Sequence, residues 1–162
     1  MIVIPREPDP AAFSAFGALV DGPAMHGDRR LYSNWLTPVP NLALQFHINS
    51  VERSDLPLVL NQIERHPHAA QVFLPLDVSR YVVTVMPDRG GLPDPAGVLS
   101  MILPGTTGVI YRPGAWHTGV TVLDRDGQFA VLMWRGASDD DVFAAIDPLI
   151  VSSPALGQKS RP

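Results

Sequence analysis

The sequence contains no cysteine, which excludes disulfides, thiolate metal sites and a cysteine nucleophile. Its absence also fits a reducing, cytoplasmic setting. Lysine is nearly missing: Lys159 stands alone, and no run of basic residues occurs. Twelve basic against sixteen acidic residues leave a formal charge of −4 with the histidines neutral. The basic stripe that a phosphate backbone requires is therefore lacking, and nucleic acid is not an expected partner. No stretch approaches the roughly 18 apolar residues of a membrane span. The opening run Met1–Ile4 is broken by Pro5 and Arg6, too early for a secretory signal. The G-x-S-x-G elbow, the Walker loop and G-x-G-x-x-G are all absent, which removes the usual support for a serine triad or a nucleotide site.

What is present is a chain of 162 residues, 46% hydrophobic and 17% charged, which is the composition of one packed domain. Seventeen prolines, about twice ordinary usage, interrupt long helices and favour short strands joined by tight turns. From Leu42 the apolar period becomes two: Leu42, Leu44, Phe46 and Ile48 alternate with Ala43, Gln45, His47 and Asn49, which predicts a half-buried strand. Leu58 and Leu60, residues 71–74, 81–86, 98–103, 108–111, 116–123 and 128–134 read as further strands. Residues 87–97 read as a loop, and Asp124–Gly127 as a hairpin turn. Asp9 before Pro10 predicts a helix start, with Phe13, Phe16 and Val20 on one face and an end near Asp21-Gly22. Ser138 with Asp141 resembles a capping box opening a second helix through Val142, Phe143 and Ile146. The expected fold is mainly β, a barrel or sandwich over residues 1–151 with short flanking helices, followed by a tail from Ser152 that frays.

Two segments can carry chemistry. In Glu64-Arg-His66-Pro-His68-Ala-Ala-Gln71, an extended chain points Glu64, His66 and His68 to one face, a reasonable donor set for a divalent metal. Gln71 falls on the opposite face unless the strand is interrupted, and Pro67 makes this an edge, a bulge or a loop. The same spacing also suits a solvated polar corner. In Gly108-Val-Ile-Tyr-Arg-Pro-Gly114-Ala-Trp-His117, a Pro-Gly turn places an imidazole at a strand start. Such a position suits ligation, proton transfer, or simply a hydrogen bond to its own turn. His26 and His47 read as solvated, and the run Asp139–Asp141 as charge at a helix N-terminus.

Together these segments resemble the cupin pattern, an H-x-H stretch followed later by a Gly-Pro-Gly-rich turn ending in His. More specifically, Leu56-Pro-Leu58, Ile63-Glu-Arg-His-Pro67 and Gln71-Val-Phe-Leu-Pro75 resemble the L-P-L, L-E-R-H-P and Q-A-F-I-P stretches of the ureidoglycolate lyase family. Gly108-Val-Ile-Tyr111 and Trp116-His117 are similar to its G-V-N-Y and W-H-H. Pro10–Phe13, Phe16-Gly17, Phe129 and Arg135-Gly136 also fit, so the likeness runs from about residue 10 to 145. The chain departs from the pattern at Ser50, Ile110, Arg112, Thr118 and near Trp134.

The resemblance implies a cupin-like jelly-roll barrel and a homodimer. It also implies a lyase that splits ureidoglycolate into glyoxylate and urea, a step of allantoin and purine breakdown. His117, His66 and Gln71 are then the expected catalytic residues, and Arg65, Arg112, Tyr111 and Trp116 the substrate-binding ones. A divalent metal would sit on His66, His68, Gln71 and His117, with Glu64 as a further ligand; no redox cofactor is required. Two other functions stay open: a different metal-dependent cupin enzyme acting on a small hydroxy or keto acid, and a non-catalytic cupin that binds a small acid.

Overall fold

The computed structural model describes residues 1–153. In chain order its strands are β1 (Ile2–Val3), β2 (Gly17–Val20), β3 (Ala43–Val51), β4 (Leu58–Arg65), β5 (Gln71–Pro75), β6 (Arg80–Met86), β7 (Asp88–Arg89) and β8 (Leu92–Pro93). They continue with β9 (Leu99–Pro104), β10 (Gly108–Tyr111), β11 (Trp116–His117), β12 (Thr121–Leu123), β13 (Gly127–Arg135) and β14 (Val142–Val151). One sheet runs β1-β14-β4-β11-β6, with β12 continuing along β6 and β9 on the other flank of β6. The second runs β2-β10-β5-β13-β3. The pairings within both are antiparallel except β1 with β14.

The facing sides of the two sheets enclose the main core. Tyr81, Val83, Val85, Met101 and Leu103 come from the first sheet, and Phe73, Val109, Phe129 and Val131 from the second. Strand β6 is buried from Tyr81 to Met86 because both its faces are covered, which is why its sequence is a continuous apolar run rather than an alternation. Each such side chain contributes roughly 1.5–3 kcal/mol when fully buried, so these positions dominate the fold's stability. The result is mainly β, as the strand spacing predicts, and barrel-like, as the resemblance implies.

Both expected helices are cut back. Asp9 caps a helix as predicted, its Oδ1 accepting from the Ala11 and Ala12 amides at 3.0 Å, but the helix ends at Phe13. Gly17, at φ +155°, then turns the chain into β2, which pairs with β10. The predicted second helix is instead strand β14, whose backbone pairs with β4 from Val142 opposite Arg65 to Val151 opposite Leu58. The Asp124–Gly127 turn is not a hairpin either. It carries the chain from one sheet to the other, Asp124 taking φ +70° at the crossing. The loop 87–97 contains the small β7–β8 pair. Strand β3 forms where expected, but as a sheet edge whose Leu44, Phe46 and Ile48 are exposed. The tail expected to fray lies, beyond Ser153, outside the described residues.

Candidate active site

The chain leaves the first sheet at Arg65 and enters the second at Gln71, crossing the open end of the barrel between them. This crossover interrupts the strand alternation and brings Gln71 back to face the residues it would otherwise have opposed. His117 is paired directly with Glu64 across β11 and β4, and Tyr111 with Gln71 across β10 and β5. The Pro113-Gly114 turn is fastened to the crossover: Gly114, at φ +77°, donates its amide to the His66 carbonyl at 2.8 Å. The two segments singled out in the sequence are therefore held together by backbone.

The imidazoles of His66 and His117 lie with ring centroids 5.1 Å apart, and both are buried. His117 Nδ1 meets the Ala115 carbonyl at 2.9 Å, so that nitrogen carries the proton in the neutral ring and Nε2 presents its lone pair. Nε2 faces the Gln71 side-chain amide at 3.0 Å and the Glu64 carboxylate at 3.8 Å. The contact with Gln71 is complementary when the amide turns its NH2 toward the ring, an assignment that follows from the hydrogen-bond network. Burial, the larger effect, and the neighbouring His66 push His117 down to about 3, so it is neutral at physiological pH. Tyr111 stacks on His117 with centroids 3.9 Å apart and planes 15° apart, fixing the ring from behind.

Glu64 completes the group. One donor atom each from Glu64, His66 and His117 lies within 4.8 Å of the other two. Burial raises the Glu64 carboxyl above its ordinary range. The His66 Nε2 atom is buried with no hydrogen-bond partner in the described structure. That nitrogen offers a lone pair to whatever binds beside it. Two imidazole lone pairs and a carboxylate match the donors that divalent transition metals take, with positions left for substrate. Beside Glu64 opens a cavity of about 230 Å³ lined also by Gln62, Thr118, Gly119 and Phe143. That is below the usual 300–1,000 Å³ of drug-sized sites and suits a molecule of a few heavy atoms.

Several expected site residues lie elsewhere. His68 is exposed and faces Asp139 at 2.7 Å, because Pro67 begins the bend that carries the chain across the mouth. Arg65 and Trp116 follow Glu64 and precede His117 by one residue, so strand alternation sends them to the outer face. There Arg65 sits over the Trp116 ring at 4.6 Å, and both bind Asp88. Arg112 is exposed. Of the departures noted in the sequence, Thr118 lines the cavity, Ile110 packs in an outer cluster, Ser50 is exposed on β3, and Trp134 donates to the Leu36 carbonyl at 3.2 Å. Two residues the sequence did not single out as functional border the site: Arg135, and Asp141, which faces His66 Nδ1 at 3.0 Å. Arg135-Gly136, with Gly136 at φ +140°, signals a turn rather than a helix approach and is the cue that could have found them.

A β-barrel whose open end carries converging imidazoles beside a small cavity of mixed lining has a small-molecule site of the kind found in enzymes. The model of the ureidoglycolate lyase family matches residues 2–150, and the chain belongs to that family. It is 29% identical to a ureidoglycolate lyase of Pseudomonas paraeruginosa (strain DSM 24068 / PA7), the match covering 91% of this chain and 93% of that one. Against the ureidoglycolate lyase of Stutzerimonas stutzeri (strain A1501) the identity is also 29%, over 88% and 90%. Two solved sugar-nucleotide epimerases show a looser likeness. One, from Legionella pneumophila Philadelphia 1, gives a TM-score of 0.47 at 15% identity, covering 68% of this chain and 57% of that one. The other, from Streptococcus suis, gives 0.45 at 12%, covering 59% and 46%. The chain spans about half the length of each epimerase.

Proposed function

We propose that this chain cleaves ureidoglycolate to glyoxylate and urea. The observation that carries the reading is the convergence of Glu64, His66 and His117, one donor atom of each within 4.8 Å of the others, beside a small cavity that Glu64 lines. The substrate carbon bears a hydroxyl, a carboxylate and a ureido nitrogen. As the hydroxyl loses its proton the C–O bond becomes a carbonyl, the C–N bond breaks, and the departing nitrogen takes up a proton, giving the two products with atoms balanced. Glu64, with its raised pKa, is the group suited to carry the proton between hydroxyl and nitrogen. His117, held near 3, is a poor base but a good lone-pair donor at neutral pH. The Gln71 amide, beside it, donates to a developing oxyanion.

Among the described residues the site has no free guanidinium for the substrate carboxylate: Arg65 is turned outward, Arg112 is exposed, and Arg135 is paired with Asp141. Glu64 and Asp141 against Arg135 leave no surplus positive charge to receive an anion. A divalent ion held by the imidazoles of His66 and His117 would supply that charge and polarise the substrate oxygens, leaving Glu64 free to move the proton. Its place is supported by the unpaired His66 Nε2, and no redox cofactor is needed. A different small hydroxy acid is the second reading, favoured by Thr118 in the cavity wall. We further place the protein in the cytoplasm, in allantoin breakdown, as a homodimer. The dimer is supported by the exposed row on edge strand β3, where residues 42–51 contain no charge and no proline to discourage pairing.

Glyoxylate release from ureidoglycolate tests the reading. Wild-type protein is expected to turn over, and His117→Ala to lose at least about 100-fold in kcat/KM, the scale of a lost site ligand. Turnover unchanged in His117→Ala would reject the site, and release of a product from another hydroxy acid alone would favour the second reading.

A further inference from the structure

His66 is held on its far side by two acceptors. Its Nδ1 lies 3.0 Å from the Asp140 carbonyl and 3.0 Å from the Asp141 carboxylate. Neither of these atoms can donate, so Nδ1 must carry the ring proton, and Nε2 is left as a lone pair directed away from them. That Nε2 is buried without a hydrogen-bond partner in the described structure, and its ring belongs to the group with Glu64 and His117. Asp141 is itself gripped by Arg135, whose Nη2 donates to its other oxygen. The loop between them is closed by the Asp140 carboxylate, which accepts the Gly136 amide at 2.6 Å. Arg135 ends β13 in one sheet and Asp141 precedes β14 in the other, so the pair also spans the two sheets at the mouth.

We propose that Asp141, clamped by Arg135, is the positioning residue of this site: it fixes the tautomer and orientation of His66 so that Nε2 faces the substrate. An exposed Asp–Arg pair by itself is worth about 0–1 kcal/mol, too little to explain its place as a stabilising bridge. Its consequence lies in the ring it orients, since partners of a ligating imidazole set which nitrogen is available. The inference rests on the proposed role of His66, so its test must not depend on turnover alone.

Nitrogen-15 NMR of the full chain labelled at histidine, with His66 assigned by His66→Gln, reads the tautomer directly. Wild type is expected to show a protonated Nδ1 and a bare Nε2. In Asp141→Ala, the Nε2-protonated form should appear, kcat for glyoxylate release should fall about 10- to 100-fold, and KM should change little. Asp141→Asn keeps an acceptor oxygen and should retain most of the wild-type tautomer and rate, which also covers the case in which the alanine variant does not fold. A folded Asp141→Ala protein with unaltered His66 nitrogen shifts would overturn the proposal whether or not the wild type releases glyoxylate. If wild type has the expected tautomer but no turnover, the lyase reading fails and the positioning role stands.

Discussion

At His117 three neighbours act at once: the Ala115 carbonyl takes the Nδ1 proton, Gln71 meets Nε2, and Tyr111 closes one face. Burial holds this imidazole near 3, while in the unfolded chain it titrates near 6.5. Between those values the unfolded state binds a proton that the folded state refuses. This contribution to stability is full above pH 6.5 and is lost as the pH falls toward 3, at about 1.4 kcal/mol per pH unit for one proton. Urea unfolding at pH 7.5 and pH 5 should show a steeper loss for wild type than for His117→Gln, which lacks the titrating ring. Equal losses would mean that His117 stays solvated. At this scale the sequence was legible in part. Residue types and spacing named Glu64, His66 and His117, the resemblance added Gln71, and the structure places these four together. His68, Arg65 and Arg112 lie elsewhere: Arg65 because a one-residue offset on a strand reverses the direction of a side chain, His68 because the chain bends after Pro67, and Arg112 because it follows the end of β10 into an exposed turn.

Among the elements, β2 shows how one residue decides a boundary. The apolar residues Phe13, Phe16 and Val20 suit a helix, yet the helix ends at Phe13 and Gly17 opens a strand. A Cβ at Gly17 would lie 1.8 Å from the Ile110 carbonyl oxygen, and the backbone there is at φ +155°. Gly17→Ala is expected to cost more than about 1 kcal/mol, since both strain and backbone displacement oppose it. Chemical denaturation against Gly22→Ala, where nothing lies within 4 Å of the added Cβ, checks this. Because β10 leads from that pairing into Tyr111 and the Pro113-Gly114 turn, glyoxylate release should fall in the Gly17 variant as well. The β14 segment is the opposite case. Its Ser138–Asp141 opening satisfies a capping pattern, but the partner strand β4 outweighs local preference, and the acidic run is used instead to close a loop and hold His66.

For the whole molecule, two expectations follow from the sheets and the mouth. The row Leu44, Phe46 and Ile48 on β3 can pair with its own copy about a two-fold axis, Phe46 opposite Phe46. Light scattering of the purified protein should give a dimer mass, and Phe46→Lys should shift it to monomer; a monomeric wild type would refute the dimer. Manganese or zinc added to chelator-treated protein should raise the melting temperature, because an ion bound to the folded state stabilises it by mass action. A double variant His66→Ala, His117→Ala should show no such rise.

The amino-acid sequence by itself determined the class of this protein: many prolines and period-two apolar segments give a mainly β chain of short strands, a barrel or a sandwich. It also named the two motifs that build the mouth. Only the tertiary structure decided which side chains meet there, because that depends on the crossover from β4 to β5 and on the sheet each strand joins. Asp141 and Arg135 entered the site for the same reason: they are distant in sequence from His66, and only the packing of β13 and β14 at the open end of the barrel brings their charges to its ring.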